Sequence, residues 1–213
     1  MPITEVVFPV FKLDPETLAT LQAAAPTMFS TIKGVPGLLN LLRGPLLEEN
    51  GQAVDPSTHR SVLSLVVLTV QNSEWDNAES FHGFYPSSEA FLGFFNVVKP
   101  LVAAAPSPQL FQAENRSTAC LSSSLTQIIK GQAASGTAET WKKIEQLLGA
   151  NIPSYHAGGI EKDAAEFLGL IGWKSKEEYE QFGKQKEFLE LVKQLNAQNE
   201  ADNLLVQLTK IDI

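Results

Sequence analysis

One aromatic signature occurs twice in this chain. Trp75 is followed by Phe81 at +6 and Phe84 at +9, and Trp173 is followed by Tyr179 at +6 and Phe182 at +9. The two signatures stand 98 residues apart in a chain of 213, close to half its length. Phe91 and Phe188 extend the match at +16 and +15. Phe and Tyr are sparse here, 12 and 3 in all, so agreement at several positions points to an internal duplication. A doubled chain holds two copies of one unit, and a surface that one copy leaves bare can be covered by the other.

The order of elements repeats with the signature. In the first half, β-branched and aromatic residues over Thr4–Leu13 predict a strand. Asp14 and Pro15 then open a helix, with Leu18 and Leu21 on one face and a stop near Gly34 and Pro36. Pro26 is expected to kink or split it. Strands are expected over Leu38–Leu47 and Ser61–Val70, divided by a polar loop with Asn50-Gly51 and Asp55-Pro56 turn signals. A helical stretch follows over Asn77–Ala103, interrupted near Pro86 and Pro100, and Gln109–Glu114 closes the half as a strand.

The second half reads the same way. Ala119–Ile129 is expected as a strand and Thr137–Leu148 as a helix, with Thr137 as a possible cap and Trp141, Ile144, Leu147 and Leu148 at helical intervals. Ser154–Ile160 and Glu166–Gly172 form a hairpin around 161–165. Ser175–Leu195 is expected as one amphipathic helix and Leu204–Ile211 as the last strand.

A β-α-β-β-α-β unit makes a four-stranded antiparallel sheet with helices on one face. Its other face needs cover, and a twin copy supplies it. The expected fold class is therefore α+β. Two ferredoxin-like βαββαβ repeats, residues 1–116 and 117–213, pack sheet to sheet as a pseudo-dimeric α/β barrel.

At this point the chain resembles a family. The segments Glu74-Trp75-Asp76-Asn77-Ala78-Glu79-Ser80-Phe81-His82-Gly83-Phe84 and Gly172-Trp173-Lys174-Ser175-Lys176-Glu177-Glu178-Tyr179-Glu180-Gln181-Phe182 are similar to the strand-end Trp and following helix of the antibiotic-biosynthesis-monooxygenase type of dimeric α/β barrel, in a tandem two-repeat form. The resemblance implies a ligand held between sheet and helices. It also implies a set of activities: cofactor-free oxidation of polyketide-like phenols, cyclisation, lactone isomerisation, and haem binding or degradation. The haem-degrading members carry a helical Trp and a ligand His about three turns on. The matching positions here are Phe84 with Phe94 or Phe95, and Phe182 with Val192, so that branch is not expected.

Three histidines bound the acid–base chemistry: His59, His82 and His156. His59 reads as a solvated loop residue. His82 and Tyr85 share a helix face and can act as a pair, the imidazole taking a proton and the phenol holding the developing enolate. They are the candidate catalytic residues, against the plain reading of His82 as a part-exposed helix residue. Tyr155 and His156 are neighbours on a strand, so one faces the helices and the other the barrel interior. Trp75, Phe84, Tyr155, His156 and Trp173 are the candidate substrate-binding residues. Both Trp residues also serve as core anchors, each worth about 1.5–3 kcal/mol when buried. Nine of the 12 Phe lie in the first half, including Phe81, Phe84, Phe91, Phe94 and Phe95. Such a broad apolar face can line an aromatic pocket, bury a helix between the halves, or form a homodimer patch.

Composition removes other classes. The net charge is −8 with no basic block, which argues against a nucleic-acid surface. No apolar run reaches the roughly 18 residues of a membrane span. A single cysteine, Cys120, excludes an intrachain disulfide and a multi-thiolate metal site. No P-loop, dinucleotide fingerprint, HExxH or EF-hand pattern occurs. The expectation is a cytoplasmic enzyme with no cofactor and no metal, acting on a small hydrophobic or aromatic metabolite as a cyclase, isomerase or monooxygenase. The alternative is a non-catalytic binder or interaction protein on the same fold.

Overall fold

The computed structural model describes residues 1–9, 11–12, 14–54 and 69–212. His59 and most of the strand expected over 61–70 lie outside the described residues. The first half holds β1 (Ile3–Val7), α1 (Pro15–Ser30), β2 (Leu38–Glu49), β3 (Gln52–Ala53), β4 (Thr69–Trp75), α2 (Ala78–Phe84), α3 (Glu89–Val98) and β5 (Gln109–Gln112). The second holds α4 (Thr118–Leu121), β6 (Leu125–Gln132), α5 (Thr137–Leu148), β7 (Ser154–Gly159), β8 (Glu166–Trp173), α6 (Lys176–Gly183), α7 (Lys186–Asn199), β9 (Asp202–Val206) and β10 (Thr209–Lys210).

Eight strands close into one antiparallel β-barrel in the order β2-β4-β1-β5-β7-β8-β6-β9, with β9 returning to β2. Within each half the strands stand in the same order: second, third, first, fourth. Two seams join the halves. Phe111 and Gln112 pair with Gly159 and Gly158, and Leu46, Glu48 and Glu49 pair with Val206, Leu205 and Leu204. The expected face-to-face packing of two separate sheets is thus realised as edge pairing. Two separate sheets would leave four edge strands unpaired, whereas closure satisfies them and turns both bare faces into one inner wall.

Alternation sorts the side chains. Val6, Phe111, Ile128, Leu168, Leu170 and Val206 fill the barrel interior. On the outer face of the second half, Leu125, Ile129, Phe167, Ile171 and Leu205 meet Trp141, Ile144 and Leu148 of α5 and Phe188, Val192 and Leu195 of α7 in one continuous core. On the outer face of the first half the core is divided. Ile3, Trp75, Phe81 and Leu110 form one cluster, and Phe11, Leu21, Met28 and Val98 belong to another.

Several local expectations need correction. The strand expected from 119 begins at Leu125, because Thr118–Leu121 make a helical turn that drops Cys120 and Leu121 into the barrel core. Gly136, at φ 90°, is the N-cap of α5, while the Thr137 hydroxyl donates to Asn199 Oδ1 at 2.7 Å. The helix expected over 175–195 breaks at Lys184 and Gln185 into α6 and α7. The last strand divides into β9 and β10, with Gln207 crossing over Gly44, where any Cβ would collide with the Gln207 carbonyl. Asp14 caps α1 as expected, accepting from Thr17 N at 2.8 Å. Among the described residues, no helix is long and apolar enough to cross a membrane.

Candidate functional site

The helix layer of the first half does not close over its sheet. A cavity of about 750 Å³ lies between β1, β2 and β4 on one side and α1, α2 and α3 on the other. That volume suits a drug-sized molecule. The space exists because α1 is narrow here: Ala25 stands between Leu21 and Met28 on its inner face. Phe84 and Tyr85 end α2 over the cavity, and Phe91, Phe94 and Phe95 of α3 complete the aromatic roof. Of the three readings open for the Phe-rich face, lining a pocket is the one this geometry matches.

The sheet floor carries the polar groups. Glu5 of β1 faces Ser73 of β4 in register, and both line the cavity. Trp75 Nε1 donates to Glu5 Oε2 at 3.0 Å, and Ser73 also hydrogen-bonds the carboxyl. Glu5 is only 8% exposed. Burial pushes its carboxyl above the ordinary glutamate value near 4.5, and the hydrogen bonds from Trp75 and Ser73 offset part of that rise. A carboxyl raised in this way, next to an apolar cavity, is the kind of group that can take or give a proton in a reaction.

The second half repeats this arrangement with different chemistry. Trp75 pairs with Ile3 and Trp173 with Leu125, so two residues on, Glu5 and Gln127 hold matching places. Trp173 Nε1 donates to Gln127 Oε1 at 3.2 Å. The place of Ser73 is taken by Ile171. The space above is filled by Trp141, which packs onto Gly169 so closely that a Cβ there would enter the indole ring. The first half therefore has a carboxyl under a cavity where the second has an amide under an indole.

The residues singled out from the sequence divide. Trp75, Phe84 and Tyr85 line the cavity. His82 does not: its side chain is 48% exposed, and Nε2 lies 2.6 Å from Glu161 Oε1 on the outside of α2. The cavity thus receives one member of the His82–Tyr85 pair. Trp173 is fully buried in the second-half core. His156 faces the helices, half exposed, with Nδ1 3.3 Å from Glu145 Oε1. Tyr155 points into the barrel, as alternation requires.

Tyr155 belongs to a second buried polar cluster. Glu74 accepts from Ser117 Oγ at 2.8 Å, Thr118 Oγ1 at 2.8 Å and Asn40 Nδ2 at 2.7 Å. Thr4 Oγ1 lies 3.1 Å from both Ser117 Oγ and Tyr155 Oη. Burial pushes the Tyr155 phenol up to about 12 and the Cys120 thiol up to about 12. These partners satisfy one another inside the barrel, which is how a structural network is built.

Glu5 was missed because a single glutamate in a strand reads as a solvent-facing residue. A usable signal was present. Ile3, Glu5 and Val7 share one face of β1, the face that the following helix covers.

The donor set limits what the cavity can hold. Its wall carries the Met28 thioether, the Tyr85 phenol and the Glu5 carboxyl, and no imidazole among the described residues. No group of three or more His, Cys, Asp or Glu among the described residues is placed to hold a metal ion.

No protein-family model matches the sequence, and no curated protein matches it. Solved structures do. The chain superposes on a candidate monooxygenase from Fusobacterium nucleatum with a TM-score of 0.62 at 13% identity, over 99% of this chain and 94% of that one. A candidate monooxygenase from Lactobacillus acidophilus gives 0.54 at 11% identity, over 98% and 93%. The chlorite dismutase of Candidatus Nitrospira defluvii, complexed with imidazole, gives 0.56 at 8% identity, over 97% and 91%. Likeness at such low identity is a likeness of fold.

Proposed function

We propose that this chain is a cofactor-independent enzyme acting on a small aromatic or polyketide-like molecule bound in the first-half cavity. The observation that carries the proposal is the Glu5 carboxyl, buried at the floor of an otherwise apolar space. Cyclisation, isomerisation and oxygenation of such molecules share one step, loss of a proton from a carbon or phenol next to a carbonyl. Glu5 is assigned that proton. Trp75 and Ser73 hold the carboxyl in place, and the Tyr85 phenol, which lines the same cavity, is assigned the donor to the oxygen on which charge develops. Phe84 and the α3 phenyl rings bind the flat body of the substrate. His82 holds α2 through Glu161 and acts, in this reading, as a positioning residue. The proposal includes the duplication: two ferredoxin-like repeats, 1–116 and 117–213, of which only the first kept a working cavity. The fold likeness to candidate monooxygenases supports the class and not the substrate.

The test is proton exchange. Anthrones and aryl 1,3-diketones are incubated with the protein in deuterated water, and loss of the acidic C–H signal is followed by NMR. Exchange well above buffer, lowered at least about 100-fold in Glu5→Gln, is expected. Equal exchange in Glu5→Gln removes the assignment of Glu5. Tight binding with no exchange in any compound favours a non-catalytic binder.

A further inference from the structure

The cavity floor carries a second charged group, on β2. Arg43 pairs in register with Gln71 of β4 on one side and with Thr209 of β10 on the other. Its guanidinium lies 4.7 Å from the ring centre of Phe29, on α1. It makes no ion pair with any carboxylate among the described residues. Burial without a counter-charge lowers its pKa from the usual arginine value.

The second half has an equivalent position, and there the basic residue has a carboxylate partner. Gln71 and Gly169 each stand four residues before their Trp, so Arg43 opposite Gln71 matches His156 opposite Gly169. His156 finds a carboxylate, Glu145, contributed by the covering helix α5. At Arg43 the covering helix α1 offers the Phe29 ring instead. The closed half supplies its own carboxylate, and in the open half none of the described residues takes that place beside the cavity.

We infer that the first-half cavity takes an anionic ligand, a flat apolar molecule whose carboxylate or other acidic oxygen binds Arg43 where the second half uses Glu145. The inference rests on the cavity reading above and adds the charge of its ligand. A guanidinium suits this task, because its planar donors match a carboxylate in pairs while Phe29 supports its face. Thr209, in register beside Arg43 and lining the same space, adds a hydroxyl donor. Glu5 and Arg43 lie two strands and two residues apart, roughly 12 Å between Cα atoms from strand spacings. The acidic oxygen therefore sits at one end of the ligand and the carbon that exchanges its proton near the other.

The test compares 2-naphthoate with its neutral isostere 2-naphthamide, by calorimetry on the full chain at pH 7. At least tenfold tighter binding of naphthoate is expected, weakening with added salt. Arg43→Met is expected to collapse the ratio to about one, and Arg43→Lys to keep part of it. Lys142→Met, an exposed cation on the second half, is expected to leave the ratio unchanged. Naphthamide binding as well as naphthoate to the native chain overturns the inference and leaves the cavity reading standing. A tenfold ratio that survives in Arg43→Met also overturns it. Failure of both compounds to bind the native chain overturns both.

Discussion

Over β8 an indole from α5 lies against a glycine, and over β4 there is open space. The two faces belong to one barrel and share strand order, a Trp that donates to the first strand, and a following helix with aromatic residues. They differ in what fills the layer between. The second half spends its polar positions on neutral or paired groups: Gln127 under Trp173, and His156 beside Glu145. The first half places a buried carboxyl, and a guanidinium with no ion pair among the described residues, around a cavity of about 750 Å³. Each of those choices costs stability, and all three occur in the same place. A protein keeps such costs together where binding or chemistry needs them.

The contrast breaks most visibly at Trp141. Trp141→Ala removes the fully buried ring that closes the second half and should cost about 3–5 kcal/mol, read from urea unfolding. A loss under about 1 kcal/mol would mean that the second half is not held closed by this residue.

Glu5→Gln sharpens the comparison by giving the first half the residue of the second. The folded-state pKa of Glu5 lies above its unfolded value, so the folded protein keeps the proton longer. Its contribution to stability is present below the ordinary value near 4.5 and is lost as pH rises through the folded pKa. Glu5→Gln should therefore be more stable than the native chain at pH 8, with the gain shrinking towards pH 4, as read from urea unfolding at the two pH values. Equal stability across that range would contradict a raised Glu5.

Filling the open half is a smaller change. Ala25→Leu puts extra methyl groups into the cavity and should raise stability by about 1 kcal/mol while weakening naphthamide binding at least tenfold. Unchanged binding would place the ligand elsewhere. The smallest effect belongs to His82, whose contact with Glu161 is exposed on both sides. His82→Ala should cost under about 1 kcal/mol and change proton exchange by no more than about threefold. A 100-fold loss would return proton transfer to His82.

The duplicated element order and the barrel class were legible because they rest on periodicity and on the Trp-aromatic spacing, which survive without coordinates. Trp75 and Phe84 follow from the same signature and reach the cavity, as does Tyr85, which was singled out by its helix spacing to His82. Glu5 and Arg43 did not stand out. Each is one charged residue in an apolar strand, and its meaning depends on which face the helix covers and on what that helix leaves unfilled. His82 misled for a related reason: helix spacing put it beside Tyr85, but the direction of the cavity is set by how α2 lies on β4. The Gln127 and Ile171 counterparts become visible only once strand register fixes the two halves against each other.

The central claim is that the first half keeps an open cavity over an ionisable floor where, among the described residues, the second half is filled by Trp141. Crystals soaked in 2-naphthamide test it directly, because the location of the bound ring is seen and not deduced. The account predicts density between α1, α3 and β4, in contact with Trp75 and Phe84 and above Glu5, with none between α5 and β8. A ring lodged beside Trp141, or a first-half layer collapsed onto its sheet with no room for one, would contradict it.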